Sequence, residues 1–531
     1  MKNLPIVDLS IIIIYLTSMV LVGFYFSRKN KNSEQFTSAS GTIPGWAIGL
    51  SIYATFLSSN TFLGVPGKAF GSNWNAFVFS LSMPFAAWVA SKYFVPFYRS
   101  TGEISAYTHL ENRFGAWART YTVICFLLTQ LARMGSIFFG IALSLHPLIG
   151  LPMSTIMIIM SICIILYTVS GGMEAVIWTE VVQGIIKTLG ALLILYLIIA
   201  EMPGGVKGIV DIGSHYQKFS LGSLSPDLTQ STFWMVLLYG FFINLNNFGM
   251  DQNYIQRYHT AKTAAQASRS VWLCVALYVP ASLLFFIIGS SLFAYYQVHP
   301  ELIDTVRQQV AGERLGTSAS APEIAALAAT LQPADYGDKV MPHFIVTKIP
   351  TGLIGLIVAA ILSAAMSTIS SGMNASATVF TMDIYKRYVR KNLSDKGKLH
   401  ALYASTVIFG ILGLTTGIAM IGVKSLLDIW WELSGIFAGG MLGLFLLGMI
   451  SRHTKSAEAF TATLIGITVI LWMTLSTYLP AKYEFLRNPL HKNMVIVVGT
   501  LTIFLAGLLL TARKRKVSLS LPKKDAIESI G

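Results

Sequence analysis

Two stretches of hydroxyl and amide side chains lie inside apolar segments of helix length, where polar groups are costly. The first runs from Trp46 to Pro66 and contains six such residues: Ser51, Thr55, Ser58, Ser59, Asn60 and Thr61. The last four stand in succession and Gly64 and Pro66 follow, which predicts locally opened backbone. Unwound backbone in a membrane is tolerated only where it is buried or lines a wet cavity, and its free carbonyl groups then suit a cation.

The second stretch, Ala359 to Asn374, places serines at helical spacing. Residues three and four positions apart share a helix face, so they form a hydroxyl stripe of four members: Ser363, Ser367, Ser370 and Ser371. Sodium is a hard cation that needs several oxygen atoms, and hydroxyls together with freed carbonyls supply them. The alternative is that these small residues only let helices pack closely.

A matching group of amides, Asn244, Asn246 and Asn247, precedes Gly249 in another apolar segment. We predict a helix interruption there as well. The two interrupted helices would each begin a group of five spans, which indicates an inverted-repeat transporter with its site at the bilayer midplane. Close helix packing through small residues is again the alternative.

Three charged residues also fall inside apolar segments, and an ionisable group at that depth is by default a functional hypothesis. Arg133 suits bidentate capture of a substrate carboxylate; the alternative is a structural ion pair. Glu180 is either an ion ligand or a partner that neutralises Lys187 or a nearby basic loop. Lys187 lies two turns further along the same helix face, and the sequence offers no account of it.

The elements that must position these residues are membrane helices. Hydrophobic side chains make up 54% of the 531 residues and charged ones 12%, about half the charged fraction of a soluble protein. A span needs about 20 apolar residues. On that rule we count about thirteen spans, near 5–27, 43–68, 74–97, 118–145, 151–169, 175–201, 231–255, 269–297, 346–384, 400–421, 424–451, 457–479 and 493–512.

The net charge of +14 does not indicate nucleic-acid binding, because the basic residues lie in short connectors between apolar segments. Placing the N-terminus outside puts about 23 Lys and Arg on the cytoplasmic side against about 12 outside, as the positive-inside rule requires. We therefore predict an external N-terminus and a cytoplasmic C-terminus. The three cysteines all fall in apolar segments, which predicts neither disulfides nor a metal site.

Four motifs, in chain order, resemble the solute:sodium symporter family. They are Ala54–Ser59, Ser170–Glu180 with Gln183 and Gly184, Asp251-Gln252 with Gln256-Arg257, and Ala364–Ser371 with Asn374. The resemblance implies an all-α polytopic membrane protein with a five-plus-five inverted-repeat (LeuT-like) core, one extra span before it and two after. It implies a sodium site with five ligands: Ala54, Leu57, Ser367, Ser370 and Ser371. Glu180 stands where some members hold a second sodium ion with an acidic residue.

The same resemblance predicts how the chain is divided. The expected parts are 1–42, an N-terminal span with a basic loop; 43–201, the first inverted repeat; 202–230, an extracytoplasmic loop; 231–451, the second repeat with the outer loop 298–345; 452–512, two further spans; and 513–531, a cytoplasmic tail. For 298–345 we expect a loop with short helical pieces.

Within the family, further segments resemble the bacterial sialic acid symporters: Ser58–Thr61, Pro66–Phe70, Trp74, Leu131–Gly135 and Phe293–Gln297. This resemblance implies that Arg133 binds the sialic acid carboxylate and that Ser58 and Thr61 contribute hydroxyl contacts. Two substrate positions depart from the pattern: Phe56 replaces a hydroxyl residue, and Ser80 stands where a glutamine would reach the solute.

We therefore expect a sodium-coupled symporter of the bacterial inner membrane that imports a small organic solute by alternating access, with an anionic sugar acid as the favoured solute. Its expected partners are the solute, sodium and the lipid bilayer, and the sequence is compatible with a monomer. A sodium/sugar or sodium/monocarboxylate symporter is the alternative within the family. A non-transporting membrane sensor is the alternative from another class, although the tail 514–531 is short for a signalling domain. An enzyme ranks last, because the sequence contains no nucleophile elbow, phosphate loop or metal-ligand motif.

Overall fold

The computed structural model describes residues 5–28, 32–316, 319–422 and 426–520, and every structural statement below refers to these residues. The described chain is almost entirely helical, with one isolated β-bridge between Ile43 and Ala261. The helices of the first half are α1 (Ile6–Ser27), α2 (Ser33–Ser38), α3 (Gly45–Phe56), α4 (Val65–Gly71), α5 (Val78–Leu81), α6 (Met83–Val89), α7 (Val95–Thr101), α8 (Thr108–Phe114), α9 (Ala116–Ile149), α10 (Met153–Glu201) and α11 (Gly205–His215).

The second half continues with α12 (Phe233–Met250), α13 (Gln252–Thr260), α14 (Ala264–Val298), α15 (Pro300–Leu315), α16 (Ala321–Thr330), α17 (Pro333–Lys348), α18 (Leu353–Val379), α19 (Asp395–Ala419), α20 (Leu426–Ile450), α21 (Ser456–Leu475) and α22 (Val495–Ser520). Polar side chains fix several of the starts. The hydroxyls of Thr232, Thr263 and Ser394 each accept a hydrogen bond from the backbone N–H three residues on, at 3.3, 3.2 and 3.2 Å. Such N-caps satisfy donors that the first helical turn leaves without partners.

Among the described residues, eleven helices are long and apolar enough to cross a membrane. A twelfth span combines Gly45–Phe56 with Asn60–Gly71 and is bent by 57° at the break between them. The 49 residues of α10 would extend about 74 Å as one helix, more than twice the bilayer's hydrocarbon thickness of about 30 Å. Its backbone leaves the helical region at Gly172, where φ is 56° and ψ is −157°. Division there yields the thirteenth span, in agreement with the predicted number.

Span seven differs from its prediction. The amide-rich segment 244–249 was expected to interrupt the helix, but α12 is continuous from Phe233 to Met250. The break lies at Asp251, whose backbone is extended (φ −80°, ψ 115°) and whose carboxylate caps α13 through the Asn253 N–H at 2.9 Å. The amide side chains act in helix packing instead; Asn244 Nδ2, for example, donates to Ser82 Oγ at 3.1 Å. The backbone of α12 stays helical although Asn244 Oδ1 and Asn246 Oδ1 are buried without a hydrogen-bond partner among the described residues.

The outer loop 298–345 is more ordered than predicted, because α15, α16 and most of α17 occupy its described part. Ion pairs of Arg314 with Asp335 (2.9 Å) and Lys339 with Glu313 (2.6 Å) tie α15 to α17. The helix α17 also packs tightly on α4, since a Cβ added at Gly337 would lie 2.5 Å from the Gly67 carbonyl oxygen. This outer segment therefore braces the second half of the bent span.

The centre of the molecule is α18, which carries the predicted serine stripe. In the apolar part of this helix that is long enough to span a membrane, 89% of the residues are buried. The corresponding value for the peripheral α1 is 28%. The stripe faces α10 and the break between α3 and α4. Part of the predicted tail, 521–531, lies outside the described residues.

Candidate ion and solute site

The bent span opens at the position that the sequence predicts. The helix α3 ends at Phe56, Leu57 leaves the helical region (φ −90°, ψ 82°), and a π-helical turn resumes at Asn60. In a continuous helix the Ser58 N–H would bond to Ala54 O; here it bonds to Phe56 O at 3.2 Å. The break therefore frees backbone carbonyl groups in the membrane interior, where another donor or a cation must satisfy them.

The group that satisfies these carbonyls is the Lys187 ammonium. Its Nζ donates to Ala54 O at 2.6 Å, to Leu57 O at 2.8 Å and to Ser367 Oγ at 2.9 Å. The lysine side chain is fully buried. Three of the five predicted sodium ligands thus come together as predicted, but around a lysine of α10.

Glu180 lies in a second buried cluster, on the side of the break nearer to α13. Arg257 Nη2 donates to both of its carboxylate oxygens, at 2.8 and 2.7 Å. Three hydroxyls complete the cluster: Ser51 and Ser371 donate to the carboxylate, and Thr55 lies within 3.3 Å of it. Arg257 Nε also donates to Ser51 at 2.7 Å, and Nη2 lies within hydrogen-bond distance of Thr55 and Ser371, at 2.9 and 2.6 Å. The position predicted for a second sodium ion therefore contains a guanidinium group.

The two remaining predicted sodium ligands separate from the first three. Ser371 belongs to the Glu180 cluster, as described, while the Ser370 hydroxyl donates back to Ser367 O of its own helix at 3.2 Å. A different residue of the stripe region crosses to the broken span: Thr368 Oγ1 donates to Thr55 O at 3.1 Å. The serine stripe thus serves two adjacent cation clusters rather than one.

A cavity beside the break contains all five residues predicted to contact the solute. Phe56, Ser58, Thr61, Ser80 and Arg133 share its wall with polar and aromatic residues from other helices, among them Asn60, Asn247, Tyr239, Tyr254, Tyr278, Ser282 and Trp431. Small-molecule sites in proteins combine aromatic and apolar side chains with a few polar groups in this way. The predicted solute residues therefore meet at one place.

Arg133 borders this cavity and also belongs to an ion pair. Its Nη1 donates to Asp251 Oδ2 at 3.1 Å, and both side chains are nearly buried, with 9% and 4% of their surface exposed. Gln130 Nε2 and the Asn253 amide further hold Asp251, at 3.3 and 2.6 Å. Arg133 thus forms an ion pair, as the structural alternative predicts, with Asp251 as its counter-charge, while the guanidinium also lines the cavity.

The two residues that depart from the sialic acid symporter pattern, Phe56 and Ser80, both contact neighbouring side chains. The Phe56 ring stacks on Tyr254 with centroids 4.6 Å apart, and Tyr278 lies 5.4 Å away. Ser80 Oγ shares a 2.7 Å hydrogen bond with Ser282 Oγ of α14. Phe56 therefore supplies an apolar wall, and Ser80 is already hydrogen-bonded to its neighbour.

The sequence reasoning assigned no role to Arg257 or Asp251, although both belong to one of the four motifs. One signal in the sequence points to them: each intramembrane charge needs a partner, and Asp251 and Glu180 lie inside predicted spans while Arg257 lies two residues beyond one. Which cation pairs with which carboxylate depends on helix packing.

Known proteins with similar sequences belong to one family of transporters. The model of the sodium:solute symporter family matches residues 36–466. The sodium/sialic acid symporter NanT of Aliivibrio fischeri is 32% identical over 495 residues, covering 92% of this chain and 91% of the relative. SiaT of Proteus mirabilis, also a sodium/sialic acid symporter, is 31% identical over 492 residues and covers 92% and 93% of the two chains.

Solved structures agree with these sequence relatives. A substrate-bound, outward-open structure of a Na+-coupled sialic acid symporter has a TM-score of 0.82 at 29% identity and covers 96% of this chain and 98% of its own. A closed structure of the nucleobase-cation-symport-1 family transporter Mhp1 shares the fold alone, with a TM-score of 0.50 at 13% identity over 92% and 95% of the two chains. The predicted fold class, an all-α polytopic protein with a LeuT-like core, is confirmed.

Proposed function

Because the chain belongs to the sodium:solute symporter family, we propose that it imports an anionic sugar acid such as sialic acid together with sodium. Family membership makes the chain a membrane transporter, not an enzyme, with sodium as the co-transported ion of its family. The solute is the part proposed here. The two sodium/sialic acid symporters that are 32% and 31% identical over more than nine-tenths of the chain support a sugar acid.

The observation that carries the proposal is the cavity beside the broken span. It brings Arg133 together with Ser58 and Thr61 on one wall. A guanidinium has five N–H donors in a fixed plane and is suited to a carboxylate, while hydroxyls suit the polar groups of a sugar. In this proposal the solute carboxylate docks on Arg133, and Asp251 holds the guanidinium in place from behind.

A neutral sugar is the rival solute, and the ion pair between Arg133 and Asp251 affects the choice between the two. Asp251 supplies the counter-charge of Arg133, so a buried guanidinium does not by itself require an anionic solute. The preference for a sugar acid then rests on the relatives and on the position of Arg133 at the cavity. An uptake experiment in which the two solutes compete distinguishes the two proposals.

Transport would follow alternating access about the broken span. Sodium and the solute bind beside the same break, so each favours the conformation in which the other's site is formed. The membrane potential contributes about 2.3 kcal/mol per positive charge per 100 mV. We propose that the protein lies in the bacterial inner membrane with its N-terminus outside and that it works as a monomer.

The test is uptake of labelled N-acetylneuraminate into proteoliposomes, with an inward sodium gradient and with choline in its place. We expect sodium-stimulated accumulation that unlabelled sialic acid inhibits and glucose does not. Sodium-stimulated uptake of glucose that sialic acid leaves unchanged would overturn the choice of solute. Solute binding without any uptake would favour the sensor alternative.

A further inference from the structure

Lys187 fills the position in which the sequence predicts sodium. A lysine ammonium has three N–H donors, and all three are used here: on Ala54 O, Leu57 O and Ser367 Oγ, at 2.6 to 2.9 Å. Two of these acceptors are the carbonyls freed by the break in span two. The third is a hydroxyl of α18, on the other side of the site.

These acceptors do not fit a sodium ion while Lys187 remains among them. A cation bound to the same three oxygens would lie against the ammonium nitrogen. Like charges at such a distance repel strongly in an interior of low dielectric constant. The ion and the ammonium are therefore mutually exclusive at this place.

The neighbouring cluster leaves Lys187 no carboxylate partner to move to. Both oxygens of Glu180 accept hydrogen bonds from Arg257, and Ser51 and Ser371 donate to the same carboxylate. With Lys187 protonated, the charges of Glu180, Lys187 and Arg257 sum to one positive charge before any ion enters. A sodium ion added without displacement of a side chain would raise this local charge further.

We propose that the Lys187 ammonium is a tethered cation that holds the predicted sodium site, so that sodium gains these oxygens only by displacing it. The inference rests on the proposed function in treating this site as the one for the coupling ion. The ammonium joins the broken span to α18 as a bound ion would, and it does so without an ion from solution. Sodium consequently binds the wild-type site weakly, and removal of the ammonium exposes a site of ordinary affinity.

Sodium binding to the purified protein tests this without any solute. Thermal unfolding in detergent is followed as NaCl replaces choline chloride at constant ionic strength, because a ligand of the folded state stabilises it by mass action. We expect Lys187→Ala to respond at a sodium concentration at least about tenfold lower than the wild type, a difference of about 1.4 kcal/mol in binding. Equal responses, or a weaker one in the variant, would overturn the proposal.

Lys218 provides a matched control, since it is another buried lysine that donates to backbone carbonyls, those of Phe70 and Ser72 at 2.7 and 2.8 Å. Lys218→Ala should respond to sodium as the wild type does. Adding Ser367→Ala to Lys187→Ala should remove the gain, which assigns the ion to these oxygens. A gain that survives the second substitution would contradict the assignment.

A second neutral variant covers the case in which Lys187→Ala does not fold. Lys187→Gln keeps a polar side chain and should show the same gain. The wild type alone is also informative, because tight sodium binding with Lys187 intact would refute the tethered cation. Failure of sialic acid uptake would refute the proposed solute and leave these sodium responses unaffected.

Discussion

At the scale of single residues, three buried cations lie near the break in span two; two of them pair with a carboxylate and the third does not. Arg133 pairs with Asp251 at the solute cavity, Arg257 pairs with Glu180, and Lys187 binds carbonyl and hydroxyl oxygens. Unpaired charges in a membrane are costly. Removing any one of these partners should therefore have a measurable effect.

Arg133→Ala tests the solute contact. Losing a hydrogen bond to a charged group costs about 1.5–3 kcal/mol, so we expect sialic acid to bind roughly 10- to 100-fold more weakly. Binding is measured by isothermal titration calorimetry on purified protein. The control is Arg113→Ala, whose guanidinium bonds to Gly448 O and Ser451 O outside the cavity and should leave affinity unchanged. Undiminished affinity in Arg133→Ala would make its ion pair purely structural.

Glu180→Gln tests whether the second cluster is a structural ion pair. It leaves the Arg257 guanidinium buried without its carboxylate, and breaking such a pair costs about 3–5 kcal/mol. We expect a clearly lower thermal unfolding temperature in detergent. The double variant with Arg257→Gln should recover part of the loss, because no unpaired charge remains. A single variant as stable as the wild type would show instead that the Glu180 carboxylate is available to an ion.

At the scale of elements, the candidate site depends on span two, which is interrupted between α3 and α4 and held in place by α17. The break between α3 and α4 frees the carbonyls of the candidate ion site and presents Ser58 and Thr61 to the cavity. The second half of that span is held from outside, because α17 approaches it at Gly67 and Gly337 with no room for side chains. The outer helices of 298–345 thus act on the site through α4.

Gly337→Ala tests the brace. The added Cβ would lie 2.5 Å from Gly67 O, and such overpacking typically costs about 1–3 kcal/mol. We expect a lower unfolding temperature together with weaker solute binding, since Thr61 lies on the displaced span. Gly312→Ala in α15 is the control: its nearest neighbour would be 3.8 Å away, so the change should be neutral or slightly stabilising. Equal behaviour of the two variants would argue against the brace.

At the scale of the whole molecule, orientation in the membrane decides which side each connector faces. Basic connectors predict that residues between spans nine and ten lie in the cytoplasm and that 202–230 lies outside. Both segments have exposed residues, and Leu224 is 69% exposed. Each therefore supplies a site for chemical labelling.

The experiment replaces Cys125, Cys163 and Cys274 by alanine and adds one cysteine at a time, at Leu224 or at Lys391. In intact cells a membrane-impermeant maleimide should label the cysteine at 224 and not the one at 391. Inside-out vesicles should give the reverse and serve as the control. Labelling of position 391 in intact cells would invert the proposed topology.

The sequence by itself determined the class of the protein and much of its site. Apolar segments of spanning length required a polytopic membrane fold, and polar residues at 58–61 marked the break, because a run of such groups at that depth has few solutions other than opened backbone. The resemblance also selected five candidate solute positions, and these share one cavity. All of this depends on local composition and on motif order.

Only the tertiary structure decided how the charges pair. Helical periodicity states which residues share a face of one helix, but the rotation and tilt of neighbouring helices decide which face meets which. For that reason the Ser367 hydroxyl met Lys187 and the Glu180 carboxylate met Arg257, where a sodium ion had been expected at each. The amides of 244–249 show the same limit, because their side chains are buried among packed helices while α12 stays intact. Contacts between helices, unlike the periodicity along one helix, cannot be predicted from any single segment of the sequence.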